Sequence, residues 1–316
     1  MEVGDLVVRK SYDKDITFKI IEIKEGDDNH KIYMLKGVNL RIEADALEED
    51  LEKVTEKNLS KADIIFNKKI NESIRRVISQ REEEHKTILV SAQKEKEEYR
   101  GKKKKQKGER KKRGYRKEES KTKDNKLTFG RPGRILHIDG DADYLEVCLK
   151  TYKQLSLEAF GHAIPEREQS KHILELVNKY KPDIVVITGH DGMIRHAKDY
   201  MNIENYRNTK YFVEAVKTLR NYENSYDDLV IFAGACQSCY EAILDSGANF
   251  ASSPNRVLIH CLDPVLVCEK IAYTNIDKIV PIQDVIENTI TGLKGIGGLQ
   301  TRGKYREGFP KSSFIK

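Results

Sequence analysis

Residues 183–192 have the sequence Asp-Ile-Val-Val-Ile-Thr-Gly-His-Asp-Gly, and residues 230–236 have the sequence Val-Ile-Phe-Ala-Gly-Ala-Cys. Each is a short apolar run that ends in a glycine-containing loop, which is typical of a β-strand buried on both faces. Amphipathic helical patterns precede the two runs, at Glu166–Lys181 and Asn208–Tyr222. Such strands alternating with helices predict an α/β sandwich around a mostly parallel sheet.

The same alternation extends in both directions from these two strands. Ile135–Ile138 is another short apolar run, which ends in Asp139-Gly140-Asp141 and is followed by a helical pattern. Toward the C-terminus we predict a helix, a strand and a helix at Gln237–Leu244, Val257–His260 and Asp263–Ala272. Together these elements define one α/β domain over residues 131–316.

The first fifty residues have a different pattern. Short β-rich runs at Leu6–Val8, Phe18–Ile23 and Lys31–Leu35 are separated by turn signals. The opening Val-Gly-Asp-Leu-Val resembles SH3-like barrels, so we predict a small SH3-like β-barrel over residues 1–50. Helix-like spacing of isoleucines, in a stretch from Asp45 to Glu84, predicts a helical connector over residues 51–95.

The net charge of +6 comes from one segment of the chain. Residues 102–123 hold 13 Lys and Arg against 3 Glu, so the rest of the chain is mildly acidic. Branched apolar residues are almost absent between Val90 and Asn125, which predicts a disordered basic linker over residues 96–130. This segment also explains why only 38% of the residues are hydrophobic.

Several classes of protein are excluded by composition. No apolar run approaches the roughly 18–20 residues that span a bilayer, so we expect no membrane span. The N-terminus lacks the charged, apolar and small-residue succession of a signal peptide. Five cysteines do not make a disulfide scaffold. We therefore expect a reducing, cytoplasmic environment in which the thiols are buried or catalytic.

In such a sheet, functional groups collect in the loops at the C-terminal strand ends. Those loops carry the acidic stretch Asp139–Asp143, then His190, then Cys236. A cysteine nucleophile needs a base within reach and backbone N–H donors around the developing oxyanion. A helix N-terminus after Cys236 would lower the pKa of its thiol. Alone, either residue is more often a packing residue, but the pair favours catalysis.

The two loops resemble those of the caspase-like cysteine peptidases of clan CD, in which one apolar strand ends in His-Gly and a later one in Ala-Cys or Gly-Cys. More closely, the chain resembles the YabG family of sporulation-specific peptidases. That likeness covers the opening Gly-Asp-Leu-Val-Val-Arg, residues 134–141, and the Gly-His-Asp-Gly and Gly-Ala-Cys-Gln-Ser-Cys stretches.

The resemblance implies a caspase-like fold and a cysteine endopeptidase. Cys236 would be the nucleophile and His190 the base, with no third member required. The backbone N–H groups of Asp191, Gly192 and Cys236 would form the oxyanion hole, although Asp191 stands where the family pattern has glycine. The resemblance also implies processing of spore coat or cortex-related proteins, in the mother cell cytoplasm and the spore coat.

The other cysteines have simpler interpretations. Cys239 is a rival nucleophile, but inside the predicted helix it is more simply a buried thiol. Cys148, Cys261 and Cys268 lie on predicted helices or strands and indicate core positions. Cys236 and Cys239 have the spacing of a zinc or redox pair, yet no second pair completes a zinc site. We expect no metal and no cofactor.

Substrate preference depends on the acidic loop after the first strand. Arg-specific members of the clan hold a carboxylate near the end of that strand, and a carboxylate pairs bidentately with a guanidinium. We therefore predict cleavage after Arg, or after Lys, with Asp141 or Asp139 at the floor of the primary specificity (S1) pocket. The alternative is that these aspartates cap the following helix.

The basic linker has two interpretations. It would bind any polyanion, or it is itself a substrate of an Arg-directed peptidase, cleaved between Arg100 and Arg131. We favour self-cleavage over nucleic acid as the main partner.

Two classes without peptidase activity remain as alternatives. One is a basic-tail nucleic-acid-binding protein. The other is a receiver-like regulatory domain, although its acceptor strand would end in Thr188-Gly189-His190 where an Asp is required.

Overall fold

A computed structural model describes residues 1–26, 30–55, 60, 63–81, 83 and 129–312. They belong to two compact units, the first made of Met1–Ser73 and Pro132–Arg306. The second comprises the described parts of residues 74–131 and 307–316. The predicted basic linker and its self-cleavage region lie outside the described residues, except for Phe129–Arg131, which form a strand.

The N-terminal part of the first unit is a five-stranded antiparallel sheet. Its strands are β1 (Leu6–Arg9), β2 (Thr17–Glu25), β3 (Lys31–Gly37), β4 (Glu43–Leu47) and β5 (Leu51–Lys53), in the order β4-β3-β2-β1-β5. Alternate residues of these strands form one apolar core, in which Ile20 and Leu35 are fully buried. The three predicted strands are confirmed.

The prediction of helix from Asp45, and of a helical connector beginning at residue 51, is wrong for residues 45–47 and 51–53, which form strands on either side of a short 3-10 helix, Glu48–Asp50. Glu43–Leu47 pairs with β3, and Leu51–Lys53 pairs with β1. These pairings bury Ala46 and Leu51 against distant strands, and such long-range contacts override local helical spacing. The helix α1 covers residues 63–81.

The described chain from residue 129 to residue 308, which includes short segments of the second unit, contains further strands and helices. They are β6 (Phe129–Arg131), β7 (Ile135–Asp139), α2 (Ala142–Gln154), β8 (Ala159–Ala163), α3 (Glu166–Tyr180), β9 (Ile184–Thr188), α4 (Thr209–Tyr222), β10 (Val230–Ala233), α5 (Tyr240–Asp245), β11 (Phe250–Ser252), α6 (Asp263–Tyr273), β12 (Ile279–Val280), α7 (Ile282–Asn288), β13 (Ile296–Gly298), β14 (Thr301–Arg302) and β15 (Arg306–Gly308).

Six of these strands form a central sheet in the order β13-β11-β10-β9-β7-β8. All neighbours are parallel except β13, which runs antiparallel to β11. The register pairs Asp139 with Thr188, and Ile187 with Ala233. Because three parallel strands end level with one another, the loops that follow β7, β9 and β10 meet at one edge. The predicted α/β fold with a mostly parallel sheet is confirmed.

The central strands are apolar throughout because helices cover both faces of the sheet. On one face, alternate residues such as Ile138, Ile187 and Ile231 pack in a single core with residues of α3 and α4. The helices α2 and α6 contact the sheet at β7 and β9. This double coverage holds the strand ends rigidly, which is what a precise site requires.

The predicted strand at Val257–His260 is wrong, because those residues form no regular strand and the next sheet strand is β11 instead. Their backbone groups serve the neighbouring loop: Val257 O accepts a hydrogen bond from Gln237 N, and Ile259 N–H donates to Cys236 Sγ. An apolar segment can therefore be buried without joining the sheet.

Candidate functional site

A cavity of about 480 Å³ lies at the edge where β7, β9 and β10 end. It is lined by residues from all three loops, including Gly140, His190 and Cys236. Arg41 and Glu43, which flank the start of β4, also line it. The structure therefore brings the two predicted catalytic side chains to one cavity.

His190 is fixed by three polar contacts. Its backbone N–H donates to Glu166 Oε1 at 2.6 Å, and its carbonyl accepts from Asn208 Nδ2 at 2.8 Å. Its ring Nε2 lies 2.8 Å from Asp141 Oδ2. Gly189 is required because a Cβ there would lie 2.2 Å from the Glu166 carboxylate. With Nε2–H donating to Asp141, Nδ1 of the neutral ring is left as an acceptor.

Asp141 joins the imidazole to two other groups. Its Oδ1 accepts from the backbone N–H groups of Asp143 and Tyr144, so it caps α2, as the alternative interpretation predicted. The same oxygen lies 2.6 Å from Lys36 Nζ. Burial alone would raise the pKa of Asp141, but the bonds to His190 and Lys36 lower it to about 2. Asp141 is therefore ionised at neutral pH, and its Oδ2 lies 2.8 Å from His190 Nε2.

Cys236 lies in the loop after β10, and 1% of it is exposed. Its Sγ accepts a hydrogen bond of 3.2 Å from Ile259 N–H. Gly234, with φ +110°, turns the chain out of the strand. Burial raises the pKa of Cys236 to about 11. The expected pKa lowering by a helix dipole does not occur, because α5 begins only at Tyr240.

The carboxylate of Asp191 connects two of the strand-end loops. It accepts from the backbone N–H groups of Gly192 and Asn208 and from the hydroxyls of Thr209 and Ser238. Burial raises the pKa of Asp191 despite these four bonds. Its side chain thus ties the loop of His190 to that of Cys236.

The predicted oxyanion donors differ in availability. Gly192 N–H already donates to Asp191 Oδ1 at 2.8 Å. Asp191 and Cys236 themselves line the cavity.

Asp139 is fully buried and paired with an arginine from the N-terminal sheet. Its two oxygens accept from Arg41 Nη1 and Nη2 at 2.9 and 2.6 Å, and both side chains have 0% exposure. Thr188 Oγ1 and Asp141 N–H also donate to this carboxylate. Burial would raise the pKa of Asp139, but the charge of Arg41 holds it well below its usual range.

All five cysteines have free thiols and are buried. Cys239 is the residue before α5, and its Sγ contacts Tyr200 O and Arg256, away from the cavity. Burial raises the pKa of Cys261 and Cys268 to about 12. The predicted core positions of Cys148, Cys261 and Cys268 are confirmed.

Three side chains near the cavity have metal-ligand chemistry. One ligand-type atom each from Glu43, Asp141 and His190 lies within 4.8 Å of the others, the one such group found in the described ranges. Lys36 Nζ already contacts Asp141 here. The chain itself thus supplies positive charge to this cluster.

Four residues of the site were missed by sequence analysis: Lys36, Arg41, Glu166 and Asn208. Glu166 and Asn208 are the first residues of two predicted helices. Their polar side chains at these positions were a signal that they could bind a neighbouring strand-end loop. Lys36 lies in β3, and Arg41 lies in the loop between β3 and β4. Each precedes its acidic partner by about 100 positions. No local pattern indicates such a pairing.

Comparisons with known proteins identify the family of this chain. A family model described as YabG peptidase U57 matches residues 2–310. The sporulation-specific protease YabG of Bacillus subtilis (strain 168) is 38% identical over 312 residues, which cover 99% of each chain. Among the described residues, no helix is long and apolar enough to cross a membrane. The chain therefore belongs to the YabG family and is a sporulation-associated peptidase.

Proposed function

We propose that this peptidase is a cysteine endopeptidase in which Cys236 is the nucleophile and His190 the base. The observation that carries the proposal is their position on one cavity, at the ends of two adjacent parallel strands. The ionised Asp141, 2.8 Å from His190 Nε2, orients the ring and supplies the third member that the family resemblance left unassigned.

The chemistry follows from these groups. His190 Nδ1 takes the proton of the Cys236 thiol as the sulfur attacks the scissile carbonyl carbon. This transfer matters because the buried thiol, with a pKa of about 11, is protonated at neutral pH. The N–H groups of Asp191 and Cys236 donate to the oxyanion. His190 then protonates the leaving amine, and water hydrolyses the thioester.

Cleavage after Arg or Lys is part of the proposal. Of the two predicted specificity residues, Asp141 is engaged by His190, Lys36 and the start of α2. Asp139 binds a guanidinium bidentately in this structure, so we retain Asp139 as the floor of the S1 pocket. The caspase-like fold and the SH3-like barrel remain proposals that the strand orders support.

Hydrolysis of a short fluorogenic peptide ending in Arg tests the nucleophile. We expect Cys236→Ala to lose at least about 10³-fold in kcat. Cys239→Ala is the matched control, since its thiol is equally buried, and it should keep wild-type turnover. Full activity of Cys236→Ala would refute the proposal that Cys236 is the nucleophile.

We also propose that the enzyme cuts its own basic linker between Arg100 and Arg131, and that it processes spore coat or cortex-related proteins in the mother cell. The similarity to the sporulation-specific protease of Bacillus subtilis supports the second statement. Incubated wild-type chain should gain new N-termini in this range, and Cys236→Ala should not. Equal fragmentation of both would assign the cuts to another protease.

A further inference from the structure

The loop between β3 and β4, residues 38–42, lies against the candidate catalytic cleft. Asn39 O accepts a hydrogen bond of 3.2 Å from Cys261 N–H, and Leu40 forms an antiparallel bridge with His260. The loop thus adds a short strand to the segment whose Ile259 N–H donates to the sulfur of Cys236. Extended peptides bind many proteins in this way, through main-chain bonds to a free edge.

Arg41 follows this strand and, like the proposed nucleophile Cys236, lines the cavity. The guanidinium of Arg41 makes two parallel hydrogen bonds to the buried carboxylate of Asp139. One residue therefore lies at the cavity of the proposed nucleophile and places its guanidinium on a buried carboxylate, as an Arg before a scissile bond would do.

Contacts on the other side of the loop keep it in place. Tyr144 Oη donates to both Gly37 O and Leu40 O, at 2.6 and 2.7 Å. Gly37 N–H donates to Ile42 O at 2.8 Å, which closes the loop between the paired strands. Asn39 Nδ2 donates to Asp63 at the start of α1. The loop is thus presented in a fixed shape.

We propose that residues 39–41 act as a built-in substrate analogue that fills the peptide-binding cleft, with Arg41 in the S1 pocket. This inference rests on the proposed function and adds that a peptide substrate must displace the loop. The cleft then takes an extended peptide with Arg over Asp139 and an apolar residue before it, at the position of Leu40. Since the loop is tethered, it competes at a high effective concentration.

Kinetics of the full chain test this occupancy. The substrate is a short peptide that ends in Leu-Arg before the fluorophore. Arg41→Ala should lower its KM by roughly tenfold or more, because the loop would occupy the cleft in a smaller fraction of the molecules and the apparent dissociation constant falls as the open fraction rises. Arg41→Lys, which keeps one ion pair with Asp139, should give a smaller decrease. Arg9→Ala is the control, since Arg9 pairs with Asp50 in the N-terminal sheet. It should leave KM unchanged.

A purely structural role of the Arg41 pair predicts the opposite. Folded Arg41 variants, checked by circular dichroism and thermal melting, would then show an unchanged or higher KM, which overturns the inference. If Arg41→Ala does not fold, the KM of Arg41→Lys decides: a lower KM than wild type supports the inference, and an unchanged or higher KM overturns it.

A binding measurement separates this inference from the peptidase assignment. A labelled peptide with the sequence of residues 36–43, Lys-Gly-Val-Asn-Leu-Arg-Ile-Glu, is titrated in the Cys236→Ala background, where it is not cut. We expect it to bind Arg41→Lys at least several-fold more tightly than the chain that keeps Arg41, and the peptide with Ala at the Arg position not to bind. Equal binding in both chains refutes the loop proposal. Tighter binding to Arg41→Lys, together with no cleavage of the same peptide by the chain that keeps Cys236, refutes only the proposed function.

Discussion

Two loops reach the same cavity from distant parts of the chain, and they are held in different ways. The loop after β9 is fixed by its own surroundings, since Glu166, Asn208 and Asp141 bind the backbone and ring of His190. The loop between β3 and β4 is held by partners across the cleft, Asp139 and Cys261, and also by Tyr144 and Asp63 on its other side. We propose that the first loop carries the chemistry and that the second controls the access of substrate to it.

This difference explains why the site is mostly rigid and yet adjustable. Strand ends inside a doubly covered sheet lose little freedom when a substrate binds. A loop whose bonds to Asp139 and Cys261 are ones that a substrate would also make can exchange with that substrate. We therefore expect changes in the first loop to alter kcat, and changes in the second to alter KM.

The largest expected effect on kcat comes from a substitution in the loop after β9. His190→Ala removes the base, and kcat should fall by about 10²–10⁴-fold with little change in KM. His172→Ala on the exposed face of α3 is the control and should behave as wild type. Steady-state assays with the Arg peptide measure both, and retention of kcat in His190→Ala would separate the imidazole from the reaction.

A smaller effect should follow from Asp141→Asn. The amide would donate to Nε2, so the neutral ring would carry its proton on Nδ1 and could not accept the thiol proton. We expect kcat to fall by about 10²-fold. Asp143→Asn is the matched control because Asp143 shares Lys36 but is exposed and does not contact His190. Equal losses in both variants would argue for a general charge effect.

The same carboxylate should contribute to acid stability. Its pKa is lowered to about 2 in the folded chain, so its stabilisation is complete above its unfolded pKa and is lost as pH falls toward 2. The contribution is about 2 kcal/mol of unfolding free energy. Urea denaturation should show that the free energy of unfolding of wild type exceeds that of Asp141→Asn by less at pH 3 than at pH 6. A difference in unfolding free energy that stays constant with pH would contradict this prediction.

How far sequence alone predicts this molecule depends on the range of the interactions. Residues 184–187 and 230–233 are apolar because both faces of each strand are covered, so the sheet and the loops of His190 and Cys236 were predictable locally. The β5 strand was not, since Leu51 pairs with Arg9 through a register that only the folded sheet defines.

The candidate site shows the same limit. The pairing of Asp141 with the imidazole, and that of Asp139 with Arg41, connect residues 49 and 98 positions apart. An acidic loop can serve as specificity pocket, helix cap or histidine partner with the same residues. Only the three-dimensional register decides among these roles, and here the two aspartates take different ones.

The smallest effect should come from Glu166→Gln, which sharpens the comparison within the first loop. The neutral amide oxygen can still accept from His190 N–H, but more weakly than a carboxylate. We expect kcat to fall by roughly three- to tenfold, with KM unchanged. Glu168→Gln on the same helix, which pairs with Lys171, should have no effect. A changed KM without a change in kcat would indicate that Glu166 contacts substrate instead.

The central claim is that one sulfur and one imidazole act together at the strand ends. The most direct measurement is labelling of the full chain with an Arg-acyloxymethylketone, followed by mass-spectrometric mapping of the modified residue. We predict a single adduct on Cys236 that is abolished in His190→Ala. An adduct on Cys239 or another residue, with Cys236 unmodified, would contradict the account.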